Sequence, residues 1–347
     1  MFEAQYSISD QLLANITRVN SLVRDLNDRR FPKVVLYELT QAARAVSSHA
    51  STSIEGNPLP LTEVKKILKT APVHARDSER EVLNYNQALE LLDQKLHADR
   101  GEQFEISLQL ILDVQRQVTD GLLPKFESGH LRKKPVVVND PRTGQVVYLP
   151  PDAQEVESLL TDLLVFIKHN HSVINPLILA GIFHKQMVII HPFMDGNGRT
   201  ARLLTKVLLA KMGLNTFNLF SFENYYNQNV SKYFQVVGEY GDYLELRGQI
   251  DFSSWLEYFT AGLIDELLRV SKLLPKLSLT PATHLEKHHL KMMEETAAVG
   301  YMTDRDYAKL TKRAKATRTL DFQRLLDLGL IERKGKGKAT YYVLSEL

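Results

Sequence analysis

His191-Pro192-Phe193-Met194-Asp195-Gly196-Asn197-Gly198-Arg199-Thr200-Ala201-Arg202 joins two stretches of helical periodicity, residues 176–190 and 199–212, and its reading decides the rest of the chain. Pro192 disfavours helical geometry at the residue before it, so His191 is expected where the chain leaves the first helix, its imidazole projecting from the end of a packed element. Asp195-Gly196-Asn197-Gly198 tolerates the sharp or positive-φ backbone of a tight turn. A turn with two glycines feeding a helix N-terminus leaves several amides unpaired and pointing forward, which suits phosphate oxygens. Arg199 and Arg202 are three apart on that helix and are expected to share a face, where two planar guanidiniums suit a di- or triphosphate. Asp195 is placed to take a Mg²⁺ that bridges phosphate oxygens. His191 then remains as the base, because its ordinary pKa lies near neutrality and phosphoryl transfer needs the incoming hydroxyl relieved of its proton. A P-loop is excluded, since Gly198 is followed by Arg199-Thr200 and not by Lys and Ser/Thr.

Working outward from this strip, apolar residues recur at helical spacing over 8–26, 33–54, 61–68, 79–96, 108–123, 153–169, 230–237 and 253–268, so the body is mainly α. Residues 135–138 and 145–149 read instead as two short strands around an Asn139-Asp140-Pro141-Arg142-Thr143-Gly144 turn, and such a hairpin must rest on something or wait for a partner strand. Periodicity lapses over 271–281, with two prolines, which places a boundary between a domain at 1–275 and a second at 280–347. The second reads as helices at 284–298, 303–310 and 316–328, then strands at 330–334 and 340–344 around Gly335-Lys336-Gly337. Helices followed by a basic two-stranded wing resemble a winged helix-turn-helix. The chain of 347 residues carries a net charge of only +2, yet residues 301–347 hold eleven Lys/Arg against six Asp/Glu. Lys312, Arg313, Lys315 and Arg318 cluster near the candidate recognition helix, and Arg333, Lys334, Lys336 and Lys338 mark the wing, so contact with DNA phosphates is one expectation and docking to protein the other. Zero cysteines exclude disulfides, thiolate zinc sites and thiol nucleophiles, and suit a reducing cytoplasm. The start lacks a basic segment followed by an apolar run, and no apolar run approaches a membrane span, so a cytoplasmic location is expected.

The twelve-residue strip resembles the Fic-family motif H-P-F-x-D/E-G-N-G-R-x-x-R, with every fixed position filled. The resemblance covers roughly residues 33–268 and implies a Fic-type helical bundle that transfers AMP from ATP to a Ser, Thr or Tyr hydroxyl of a protein, with pyrophosphate leaving. It implies that His191 is catalytic and that Asp195 holds Mg²⁺ on the α- and β-phosphates. Gly196, Asn197, Gly198 and the first-turn amides through Thr200 would cradle phosphate, Arg199 and Arg202 would take the outer phosphates, and Phe193 would point to the core. Gly198 favours AMP transfer, because members that phosphorylate tend to carry Lys there.

Ser51-Thr52-Ser53-Ile54-Glu55-Gly56-Asn57 ends an amphipathic helix, with Gly56 a natural stop. It is similar to the inhibitory S-x-x-x-E-G motif of Fic proteins whose inhibitory helix precedes the core. Through Ser51, Glu55 and Gly56 the resemblance implies autoinhibition, Glu55 pairing with Arg202 and occupying the guanidinium meant for the γ-phosphate. In some relatives the same Glu supports removal of AMP, which leaves an AMP-removing enzyme as an alternative, beside a DNA-binding regulator that uses the Fic core as a nucleotide sensor. The hairpin of 133–149 corresponds to the family's flap, which adds the target segment as an edge strand. Tyr233-Phe234 stands where the family often has paired tyrosines lining the nucleotide pocket, with the second hydroxyl missing. His184 reads as a core or capping histidine, since no second His or Glu is spaced with it for zinc. Expected partners are therefore a hydroxyl-bearing protein, DNA at the tail and a second copy of the chain, without a membrane.

Overall fold

Residues 176–190 form a helix buried at every position from Leu177 to Ile190 except Val188, as a helix that is apolar all round must be. The computed structural model describes residues 2–27, 33–98, 105–140, 143–211, 221–277 and 285–345; the hairpin turn at 141–142, Met212 and the 278–284 linker fall outside the described residues. The chain divides into two units, Met1–Asp28 with Ala43–Arg269, and Arg29–Ala42 with Val270–Leu347. A boundary read along the chain near 275–280 does not show that the start of a helix two hundred residues earlier belongs with the C-terminal unit.

The described elements up to the linker are α1 (Asp10–Asn27), α2 (Lys33–Ile54), α3 (Leu61–Thr70), α4 (Asp77–Ala98), α5 (Leu108–Val118), β1 (Val138–Asn139), β2 (Val146–Leu149), α6 (Val156–Asn170), α7 (Pro176–Ile190), α8 (Asn197–Lys211), α9 (Phe222–Gln228), α10 (Val230–Val237), β3 (Gly241–Asp242), α11 (Tyr243–Leu246) and α12 (Ser253–Leu277). Asn175 caps α7 by accepting from Leu177 N at 2.9 Å, and Pro176 fills the first helical position. Gly181 lets α12 approach α7 closely: a Cβ there would meet Leu256 at 2.6 Å, and Trp255 Nε1 donates to Gly181 O at 2.8 Å. Periodicity placed the end of α5 at 123, but the helix stops at Val118, because Thr119-Asp120-Gly121 turns the chain and Gly121 has φ +67°. α12 continues past the lapse in periodicity to Leu277, with Pro275 in its last turn. β1 and β2 pair antiparallel as the hairpin, and β2 also pairs parallel with β3, Tyr148 opposite Gly241.

The C-terminal unit contains α13 (Lys287–Val299), α14 (Asp304–Leu310), α15 (Lys315–Asp327), β4 (Ile331–Lys334) and β5 (Tyr341–Leu344), the two strands antiparallel with Ile331 opposite Leu344. Met302 bridges Tyr342, and Phe322 stacks on Tyr342 with ring centroids 4.2 Å apart. The buried Asp321 accepts from Tyr307 Oη at 2.7 Å and pairs with Arg313 at 2.9 Å. His288 and His289 stand beside it, but His289 Nδ1 accepts from Glu286 N, so its Nε2 carries the proton and offers a cation no lone pair. No described helix is long and apolar enough to cross a membrane.

Candidate active site

His191 ends α7 in the left-handed region at φ +48°, its amide bonded to Met187 O at 3.1 Å. A non-glycine residue is costly there and must be held by its surroundings. Arg132 does much of this, its Nε donating to His191 O at 2.8 Å while its NH2 reaches Ile190 O and Pro151 O. Gln115 Nε2 holds Asp195 O at 3.0 Å, and the Asn197 amide both accepts from Phe193 N and donates to Phe193 O, each at 2.9 Å. Phe193 is fully buried beneath the turn. The Asn197 side chain therefore shapes the turn, leaving its backbone N–H as its contribution to an anion.

The imidazole of His191 is half-buried, with Nδ1 3.3 Å from Val188 O. A carbonyl only accepts, so Nδ1 carries the proton and Nε2 keeps its lone pair. Burial pushes the His191 pKa below the ordinary histidine value, against the upward pull of the Val188 contact, so the ring is a neutral base at pH 7.

Gly196 turns the chain at φ +82° against Thr119, and α8 begins at Asn197. The amides of Asn197, Gly198 and Arg199 precede the first helical bond, which Thr200 N donates to Gly196 O at 2.9 Å. That corrects the expectation for Thr200: its amide is committed to the helix and its side chain is fully buried. Arg199 and Arg202 also do not converge on one ligand. Three residues turn a helix to about 60° short of a full revolution, enough to aim the two side chains at different neighbours. Arg199 is buried against α4, where its NH1 lies 2.6 Å from Glu81 Oε1, and its NH2 holds Asp195 at 3.0 Å. Glu81 in turn accepts from Asn57 Nδ2 at 2.7 Å. Burial raises the Glu81 pKa, with Arg199 opposing.

Arg202 is fully buried and faces α2: Nε donates to Ser51 Oγ at 2.8 Å, NH2 to Ser51 O at 2.9 Å and to Glu55 Oε1 at 2.7 Å. Burial works to lower its pKa, yet Glu55, Tyr233 and Tyr85 hold it above the ordinary arginine value. Ser47 and Ser51 on α2, and Glu55 in the turn just past its end, each four apart, meet a matching row on α8: Lys206 Nζ donates to Ser47 Oγ at 2.7 Å, Arg202 takes Ser51 and Glu55, and the Glu55 carboxylate lies over Gly198. A Cβ at 198 would collide with Glu55 Oε1. α2 ends at Ile54, and the turn that presents Glu55 closes at Gly56, which has φ +97°.

These groups open into one cleft of about 970 Å³, lined by Glu55, His191, Gly198, Arg202, Tyr233 and Phe234 and bordered by the hairpin and α10. Its size suits a small-molecule ligand. Tyr233 lies at the base of the cleft, 1% exposed, stacked on Tyr226 at 4.6 Å, with its hydroxyl 3.1 Å from His184 Nε2 and 3.4 Å from Arg202 NH1. The Asp195 side chain is about half exposed, at 53%, and its carboxylate oxygens suit a hard cation; Asp195 is the residue that would hold Mg²⁺. Arg132, Gln115 and Glu81 escaped the sequence reading, their partners within the His191–Arg202 strip lying 59 to 118 residues away.

The Fic/DOC family model matches residues 105–209. Protein adenylyltransferase Fic from Drosophila erecta and from Drosophila melanogaster are each 28% identical over 224 residues, covering 59% of this chain and 43% of theirs. The chain thus aligns with less than half the length of those curated relatives. A Fic family protein from Desulfovibrio desulfuricans G20 superposes with a TM-score of 0.66 at 19% identity, over 99% of this chain and 98% of that one. Fic-1 (amino acids 134–508) from C. elegans does so at 0.60 and 22% identity, over 76% and 73%. Both likenesses concern the fold. With the ordered motif from His191 to Arg202 inside the matched segment, residues 105–209 are similar to the Fic/DOC family.

Proposed function

We propose that this protein transfers AMP from ATP to a hydroxyl side chain of a protein and is restrained by Glu55. The reading rests on one observation above the others: Arg202, fully buried, is met at 2.7 Å by the Glu55 carboxylate, which lies over Gly198 in the first turn of α8. A carboxylate and a phosphate are interchangeable guests for a guanidinium beside a helix N-terminus, so Glu55 and the nucleotide compete.

In this reading the amides of Asn197, Gly198 and Arg199 bind the phosphates and Arg202 takes the outermost one. His191 Nε2 accepts the proton of the target hydroxyl, whose oxygen bonds to the α-phosphorus as the bond to pyrophosphate breaks. Arg132 and Gln115 keep the His191 turn in place. Arg199 orients Asp195, so its role is to hold the cation ligand and not an outer phosphate. Mg²⁺ on Asp195 would supply charge neutralisation for the phosphates. The free edge of β1 is the candidate rail for the target strand.

The C-terminal unit is proposed as a winged helix, α15 the recognition helix and β4–β5 the wing, supported by the order of its elements. Arg318 is held by Asp304 at 2.8 Å and Arg313 by Asp321; of the other basic residues expected at the recognition helix and wing, Lys312, Lys315, Arg333, Lys334 and Lys336 are exposed, Lys334 beside Glu332. The Lys338 side chain falls outside the described residues. The test of the main reading is transfer of label from the α-phosphate of ATP to protein by the Glu55→Gly variant, lost on adding His191→Ala.

A further inference from the structure

His184 takes no part in the reading above, yet it sits at the centre of a hydrogen-bond chain that ends on Arg202. Thr205 Oγ1 donates to Ala201 O at 2.7 Å, so its oxygen can only accept from His184 Nδ1, 3.1 Å away. Nδ1 therefore carries the proton and Nε2 the lone pair. The Tyr233 hydroxyl, 3.1 Å from Nε2, must donate to it, which turns the phenol oxygen toward Arg202 NH1 as an acceptor at 3.4 Å. The opposite order, with Nε2 protonated, would leave the buried Tyr233 proton without an acceptor, and an unmet buried donor is costly. Every direction in the chain follows from the Thr205 bond.

The imidazole is fully enclosed. Trp255 lies 4.9 Å from it, Tyr226 at 6.1 Å and Tyr233 at 6.2 Å, ring centre to ring centre. Burial and then Arg202 hold its pKa well below the ordinary value, so it stays a neutral acceptor. Arg202 is thus gripped from two sides. Ser51 from α2 and Glu55 from the turn after it hold one side, and Tyr233, set by His184, holds the other from α10. The Ser51 and Tyr233 bonds to Arg202 are made by groups other than Glu55.

We propose that His184 and Tyr233 are positioning residues for the nucleotide's outer phosphates: Thr205 fixes the His184 tautomer, His184 fixes Tyr233 as an acceptor, and Tyr233 holds the Arg202 guanidinium ready for the triphosphate. The proposal rests on the reading of Arg202 as the outer-phosphate ligand. It treats Tyr233 as a support beneath the guanidinium, where the resemblance implied direct contact with the nucleotide.

The experiment is titration calorimetry with ATP and with AMP on full-length Glu55→Gly protein, alone and combined with Tyr233→Phe, His184→Leu or His184→Gln. Tyr233→Phe keeps the stacked ring and removes only the oxygen. It should weaken ATP about tenfold, as expected for one lost bond to a charged group, and leave AMP unchanged. His184→Leu should do the same, while His184→Gln, whose amide can accept from the phenol and donate to Thr205, should restore ATP binding. Long-range ¹H–¹⁵N spectra should show His184 protonated at Nδ1. Equal losses for ATP and AMP, or none, would overturn the positioning role and leave the proposed function standing. If the Glu55→Gly protein binds neither nucleotide, the functional reading itself falls and the proposal with it.

Discussion

Replacing Glu55 by glycine should tighten ATP binding by about 10- to 30-fold. The Glu55–Arg202 contact is one charge-assisted bond of 2.7 Å between a fully buried guanidinium and a carboxylate whose side chain is 29% exposed. Bonds to charged groups contribute about 1.5–3 kcal/mol, and solvent at the carboxylate places this one near the lower end, about 1.5–2 kcal/mol. At about 1.4 kcal/mol per tenfold, the guanidinium is open in roughly one molecule in 10 to 30, and the apparent affinity for any ligand needing it falls by that fraction. AMP has no outer phosphate and needs no open Arg202, so its affinity should be nearly unchanged. Isothermal titration of both proteins with both nucleotides reads the difference. Glu55→Gln, which keeps a neutral acceptor, should fall between. An equal shift for ATP and AMP, or no shift for ATP, would refute the competition between Glu55 and phosphate.

The other expectations concern the groups that hold the site. Since His191 acts as a base when neutral and burial lowers its pKa, transfer by the Glu55→Gly protein should stay level from neutral pH down past about 6.5 and fall only below it; a midpoint above that value in the pH–rate profile would contradict the assigned environment. Arg132→Lys keeps the charge but cannot fork between His191 O, Ile190 O and Pro151 O, so kcat should drop by about 1.5–3 kcal/mol equivalent with KM little altered. His184 is neutral in the folded chain and has an ordinary pKa when unfolded, so below about pH 6.5 the unfolded chain binds a proton that the folded chain does not. Stability should therefore fall by up to about 1.4 kcal/mol per pH unit on acidification, and chemical denaturation of His184→Gln should show a shallower slope. Removing residues 281–347 should abolish binding to duplex DNA whose log affinity falls with log salt by about 0.9 per phosphate contact, leaving label transfer in place; DNA binding that survives the deletion would move the site elsewhere.

How far the chain could be read in advance follows from the range of each interaction. The His191–Arg202 strip was legible because its chemistry is local: a proline after a histidine, two glycines, and a helix start close together. The helices around it were legible from periodicity, and α7 from its unbroken apolar run. β3 was not, being a Gly-Asp pair whose strand character comes only from lying beside Tyr148 and Leu149. The separation of Arg199 from Arg202 was not legible either, because spacing gives the angle between side chains and not the identity of the helices they meet. Glu81 and Ser51 decide that, from 118 and 151 residues away. Thr200 was misassigned for a subtler reason: where a helix starts by a single residue determines which amides remain free, and Gly196 rather than Asn197 supplies the first accepting carbonyl.

The central claim, that His191 drives AMP transfer to a protein hydroxyl, is tested most directly by giving Glu55→Gly protein Mg²⁺ and ATP labelled either at the α- or the γ-phosphate. Cell extract is supplied as a source of targets, and the Glu55→Gly, His191→Ala double variant is run beside it. Protein-bound label should arise from the α-phosphate alone, depend on Mg²⁺, and be absent from the double variant. Label arising from the γ-phosphate, or equal α-label with and without His191, would contradict the account.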